Sequence, residues 1–193
     1  MNKYFANTLS LLLLMCITFS LNAQDTNTDA HEVSITIPEV AILDIESTSG
    51  TSFTLAPEKP TEAGFALDFT GATNSDLWLN YSSIVGSTTQ ANRTIDVKIQ
   101  DGSNVPDGLL LKVSAASDIG NGDGVMGQPA GVITLSNTAQ DFITGIGSYY
   151  TGSPANNGHQ LTYVLELNTE DGSYGKIDFD QSTSVKIVYT ITE

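Results

Sequence analysis

The sequence predicts an all-β fold, a single antiparallel β-sandwich of Ig-like or Greek-key type with about ten strands. Three observations carry this. Apolar and polar residues alternate in one short segment after another, as in Ile95-Asp96-Val97-Lys98-Ile99. Turn pairs such as Asp101-Gly102, Asn157-Gly158 and Asp171-Gly172 separate the segments. No stretch sustains the spacing of an amphipathic helix.

In chain order, residues 24–31 are polar and read as a flexible N-terminal segment, and the sandwich domain runs over 32–193. Val33, Ile35 and Ile37 alternate with Ser34 and Thr36 as a first strand, which Pro38 confines to an edge or breaks. Val40 with Ile42, then Leu43 with Ile45, shift the parity, the mark of a bulge or a change of sheet. Phe53 with Leu55 forms a short strand, and 56–60 a turn. Phe65-Leu67-Phe69, Leu77-Leu79-Tyr81 and Ile95-Val97-Ile99 follow as strands, then Leu109-Leu111-Val113-Ala115. A Gly-rich loop covers 117–131, and Ile133-Leu135 comes next. Around Phe142-Ile143 a helical turn is expected. Leu161-Tyr163-Leu165-Leu167, Ile177-Phe179 and Val185-Ile187-Tyr189-Ile191 complete the set.

One strand cannot stand alone. Burying the four apolar residues of the last strand gains roughly 6–12 kcal/mol. Fixing its eight or so backbone residues costs roughly 8–16 kcal/mol. It must therefore pair and face a second sheet. A membrane barrel also alternates, but it needs long apolar bands with aromatic girdles, and aromatics are 8% here.

Residues 1–23 read as a secretory signal peptide. Lys3 gives a positive start, Leu9 to Phe19 an apolar run too short to span a bilayer, and Ala23 a small residue before a polar mature start. The expected location is the periplasm, the cell surface or the extracellular space. The only cysteine, Cys16, leaves with this segment, so the mature domain relies on apolar burial rather than disulfides. Met15 in front of Cys16 departs from a lipobox, and no direct membrane anchor is expected.

Loss of the segment removes Lys3 and no acid, leaving six basic against 22 acidic residues. Such a surface repels nucleic acid and anionic membrane. Catalysis is not expected. There are two histidines, His31 and His159, and no G-x-S-x-G elbow, P-loop or dinucleotide fingerprint.

Two loops carry the candidate chemistry. Asp118, Asn121 and Asp123 lie among glycines and offer oxygen ligands for Ca²⁺. The match to an EF-type loop is partial, because Ile119 stands where the first Asp belongs and the distal Glu is missing. The competing reading is a hairpin loop that uses Asn and Gly for positive φ. No other cofactor is expected. The second loop, 147–159, places Tyr149, Tyr150, Asn157 and His159 where aromatic rings and amides would hold a glycan. The competing reading is turn chemistry, with one Tyr packed inward and His159 leading into the next strand. Trp78 either joins such a surface or packs on its strand.

The start Val33-Ser34-Ile35-Thr36-Ile37-Pro38-Glu39-Val40-Ala41-Ile42-Leu43-Asp44-Ile45 resembles that of small secreted β-sandwich proteins of Bacteroidetes-type bacteria, as does Asn156-Asn157-Gly158-His159-Gln160-Leu161-Thr162-Tyr163. That group lends no site residues. The layout of leader, alternating first strand and alternating last strand also resembles fimbrial subunits. This second resemblance implies assembly by giving a strand to a neighbour. The expected function is a structural or adhesive surface protein, pilus-like, whose partners are other subunits or surface components. Segments 33–45 and 185–191 are the candidates for intermolecular pairing. The alternative is a soluble glycan- or Ca²⁺-binding module.

Overall fold

The computed structural model describes residues 27–119, 122–153 and 155–192, so the signal segment 1–23 and Asn121 lie outside the described residues. The chain divides between Thr36 and Ile37. Before that division, the described residues 27–36 are exposed and carry no strand.

The second unit is all-β. Its strands are β1 (Val40–Ser47), β2 (Thr73–Ile84), β3 (Arg93–Ile99), β4 (Leu109–Ala115), β5 (Asp123–Pro129), β6 (Ile133–Thr134), β7 (Gln140–Tyr150), β8 (His159–Leu167) and β9 (Ile187–Ile191). They form one antiparallel nine-stranded sheet of order β6-β4-β8-β2-β7-β3-β9, with β1 added to β2 and β5 to β7. β2 is the branch point. β1 occupies one edge from Leu77 to Ile84, and the other edge passes from β8 (Thr73 to Leu79) to β7 (Ser82 and Ser83). Flanked on both edges, β2 is buried without interruption from Leu77 to Tyr81.

The core is drawn from the inward positions of the central strands: Leu77 and Leu79, Ile95 and Val97, Leu111 and Val113, Phe142, Ile143 and Ile146, Leu161 and Tyr163. Val185, Ile187, Tyr189 and Ile191 pack against it from one side, the parity that the sequence predicts for the last strand. The Tyr163 and Tyr189 hydroxyls are 2.7 Å apart, although β8 and β9 lie four places apart in the strand order.

Six segments differ from the sequence reading. Val33, Ile35 and Ile37 have no ladder partner and are 70%, 84% and 77% exposed. Segment 53–55 forms no strand and 65–69 holds only an isolated bridge, from Asp68 to Glu58; Phe53 instead sets its ring 5.1 Å from that of Tyr163. Phe142-Ile143 is strand rather than helical turn, because β3 and β5 pair with β7 on its two edges. The Gly-rich loop contains β5, which approaches β7 so closely that a Cβ on Gly124 (φ +109°) would lie 2.1 Å from the Ser148 carbonyl oxygen. Glycine here permits a strand. Ile177-Phe179 runs into a 3-10 turn at Phe179–Gln181, after another at Tyr174–Lys176.

Antiparallel register sorts the loops to two ends. The lower end takes 48–72, 100–108 and 168–186, and the upper end takes 85–92 and the described residues of 116–122 and 151–158. At the upper end Arg93, with a fully buried side chain, clasps the entry and exit of the unit. Its Nη2 donates to Glu39 Oε1 and its Nη1 to the Thr192 carbonyl, each at 2.5 Å. Its Nε has no partner. The asymmetry sets an expectation. Glu39→Ala leaves a buried cation short of its counter-charge and is expected to cost about 1–3 kcal/mol, below the figure for a fully buried pair because Glu39 is 69% exposed. Arg93→Met removes the buried charge itself and is expected to stay within about 1 kcal/mol of the native protein. Urea unfolding of both variants checks the order, and the reverse order would refute this account of the clasp.

Candidate functional site

The predicted site residues that the structure describes fall at the upper end, and three of them come together around Tyr81, which the alternation places in a strand. His159 opens β8 and is fully buried. Its Nδ1–H donates to the Ala116 carbonyl at 2.8 Å, which leaves Nε2 to face the Tyr81 hydroxyl at 3.0 Å. The His159 and Tyr81 rings are stacked, with centroids 5.6 Å apart and planes 11° apart. The same hydroxyl, which has one proton to give, also meets the Met126 carbonyl of β5, so that carbonyl and Nε2 share it. Tyr149 lies 5.9 Å from Tyr81, centroid to centroid, and its hydroxyl donates to Asp118 Oδ2.

The electrostatics follow from burial. Desolvation holds His159 below its ordinary 6.5, opposed by the Ala116 hydrogen bond and the Asp118 charge. Desolvation pushes Tyr81 well above its ordinary 10, helped by Tyr149 and Asp118. Tyr149 is pushed up in the same way, by burial first and then by its bond to Asp118. At neutral pH the cluster is therefore a neutral imidazole beside the protonated phenol of Tyr81, with the protonated phenol of Tyr149 on that ring's other side. With its polar atoms turned on one another, it ties loop 116–118, β5 and the start of β8 to β2.

Tyr150 points outward and is 50% exposed, with its ring 6.5 Å from that of Tyr149. Asn157 is half-buried in the turn before β8. Trp78 is buried, as packing requires. Of the oxygen ligands, Asp118 is engaged by Tyr149, and Asp123 accepts from the Gly124 amide at 2.8 Å. Asn121 lies outside the described residues. Among the described residues no group of three or more His, Cys, Asp or Glu is placed to hold a metal ion, and no helix is long and apolar enough to cross a membrane.

One carboxylate pair lies elsewhere. Asp96 and Asp141 are direct cross-strand neighbours between β3 and β7. Burial, then the charge of Asp141, raises Asp96 above the usual carboxylate range. The signal that points to Tyr81 is chemical. A phenol on the inward face of a central strand must find a polar partner, and His159 is the only histidine after residue 31. Arg93 stands at an inward position two before Ile95 and carries the same kind of signal.

Compared with known proteins, the chain matches no family model, no curated protein and no solved structure.

Proposed function

We propose that this chain is an exported structural or adhesive surface protein, a pilus-like subunit that works through protein contacts and gives a strand to a neighbouring subunit. The observation that carries this is the segment Val33-Ser34-Ile35-Thr36-Ile37. Its three apolar side chains alternate strictly and are largely exposed, and among the described residues its backbone has no ladder partner. Such a segment gains hydrogen bonds and apolar burial by adding to a sheet edge.

The free edges differ in how well they are guarded. β6 has two residues, β5 carries Gly124, Gly127 and Pro129, and β1 carries Asp44 and Glu46. β9, Ile-Val-Tyr-Thr-Ile, pairs only with β3 and has no charge, glycine or proline. It is the acceptor edge on this reading.

The nine strands are best understood as two layers of an Ig-like or Greek-key sandwich. The Tyr163–Tyr189 contact supports this, since strands four places apart in a flat sheet would lie about 19 Å apart. Export by residues 1–23 and kinship with secreted Bacteroidetes-type sandwich proteins belong to the same reading, as does a non-enzymatic role. The alternative, a soluble glycan- or Ca²⁺-binding module, draws on the outward Tyr150 ring alone.

Crosslinking of the protein at the surface of its native cells tests the proposal. A ladder of multimers is expected. Ile35→Asp is expected to remove the ladder while leaving the melting temperature unchanged, because the side chain is outside the core. A chain that stays monomeric, or a ladder indifferent to Ile35→Asp, overturns the reading.

A further inference from the structure

The lower end is unlike the upper one in both charge and apolar exposure. Loops 48–72, 100–108 and 168–186 carry nine carboxylates against three lysines. Loops 85–92, 116–122 and 151–158 carry a single charged residue, Asp118. Among the described residues, three of the four largely exposed aromatic rings are also at the lower end: Phe65 at 71%, Phe179 at 88%, and Tyr174. The fourth is Tyr150.

These rings stand on anchored turns. The Tyr174 hydroxyl accepts from the Leu67 amide at 3.2 Å, which ties the Phe65 loop to the 3-10 turn of Tyr174. Phe179 is pinned on both sides. Asp178 Oδ1 accepts from the Asp180 amide at 2.9 Å, and Gln181 Oε1 accepts from the Asp107 amide at 3.1 Å. Holding a phenyl ring rigidly in water brings a monomer no stability.

We infer that the lower end is a docking face for a basic protein partner, with Phe65, Tyr174 and Phe179 stacking on its arginine or lysine side chains and Glu62, Asp68, Asp178 and Asp180 meeting their charge. A ring face attracts a cation through its quadrupole, and a carboxylate beside the ring adds a charge-assisted hydrogen bond. The local charge of this face decides the kind of partner. The same acidic face of a second copy is repelled from it, as are nucleic acid and anionic lipid, whereas a basic surface is attracted. This face is independent of strand donation by residues 33–37.

Titration of the full chain with a synthetic arginine–serine repeat peptide, followed by amide chemical shifts, tests the inference. In the native protein the shifts are expected to centre on residues 62–68 and 174–181. Phe65→Ala with Phe179→Ala, both outside the core, is expected to weaken the peptide by about fivefold to thirtyfold, the effect of two exposed cation–π contacts. Glu62→Lys with Asp180→Lys is expected to abolish binding at 50 mM salt. Tyr150→Ala, at the other end, is expected to leave binding unchanged. Shifts spread over the whole surface, or an unchanged affinity in the double Phe variant, would show attraction by net charge alone and overturn the inference. Self-association through this face overturns it equally.

Discussion

Gly158→Ala is expected to destabilise the protein by about 2–5 kcal/mol, while Gly172→Ala is expected to cost only about 1–2 kcal/mol. The two glycines have almost the same backbone, φ +76° and +75°. Each substitution therefore carries the same conformational penalty of about 1–2 kcal/mol for a left-handed L-residue. They differ in space. A Cβ on Gly172 meets nothing within 4 Å, whereas a Cβ on Gly158 would lie 2.1 Å from Asn80 Oδ1 and 2.4 Å from the Leu79 carbonyl oxygen. Leu79 is in the middle of β2 and fully buried, so its backbone has no room to yield. Overpacking of this kind adds about 1–3 kcal/mol. Displacement of residue 158 also moves His159, whose bonds to Ala116 and Tyr81 tie three elements together. Urea denaturation of the two variants decides the matter, and equal losses would mean that the close approach to β2 is not maintained in solution.

The position of Gly158 shows how far the fold is legible in the chain. Asn157-Gly158 announces a turn, and the alternation that follows announces β8 with its correct inward set, Leu161, Tyr163 and Leu165. Period-2 patterning is legible wherever one face is buried, and in β3, β4, β8 and β9 the alternation of the chain names the inward face that the structure has. It fails where alternation exists without burial. Val33-Ile35-Ile37 and Phe65-Leu67-Phe69 have the pattern of strands, but a pattern carries no information on whether a partner edge is within reach. It fails again where backbone conformation rather than side chains makes the strand. Nothing in Asp123-Gly124-Val125-Met126-Gly127 alternates, and β5 exists because glycine lets it lie on β7.

The candidate site was legible as a neighbourhood and not as chemistry. Asp118, Tyr149 and His159 do converge, as two Gly- and Asn-rich loops at one end of an antiparallel sheet must. Their orientation depends on Tyr81, which is distant from all three in sequence and reaches them only through the β2–β8 and β2–β7 pairings. The exposure of the Phe65 and Phe179 rings is illegible in the chain for the opposite reason. Each reads as a core residue of a strand, and only the 3-10 turns and the isolated bridge reveal that both face water.

Register in the last strand has the other large consequence. Ile187→Asp is expected to lower stability by about 3–5 kcal/mol and the melting temperature by about 10 °C, while Lys186→Asp changes it by less than about 0.5 kcal/mol. Ile187 packs against the core beside Val185, Tyr189 and Ile191, and its backbone partner is Ile99, itself almost fully buried. Replacement loses roughly 1.5–3 kcal/mol of apolar burial and forces a carboxylate toward the same site, which adds a desolvation cost of at least about 1–3 kcal/mol. The charge has no cation to meet, since Lys186 is exposed on the opposite face. Against a total stability of about 5–15 kcal/mol, this single residue is a large share of what holds β9 on β3. The loss also bears on function. β9 is the proposed acceptor edge, so a variant that retains its fold but frees β9 is expected to lose the multimer ladder as well, at temperatures where the native protein keeps it. Thermal melting of Ile187→Asp and Lys186→Asp side by side measures the register directly. Equal melting temperatures would place residue 187 on the solvent face, and with it the whole alternation from Val185 to Ile191.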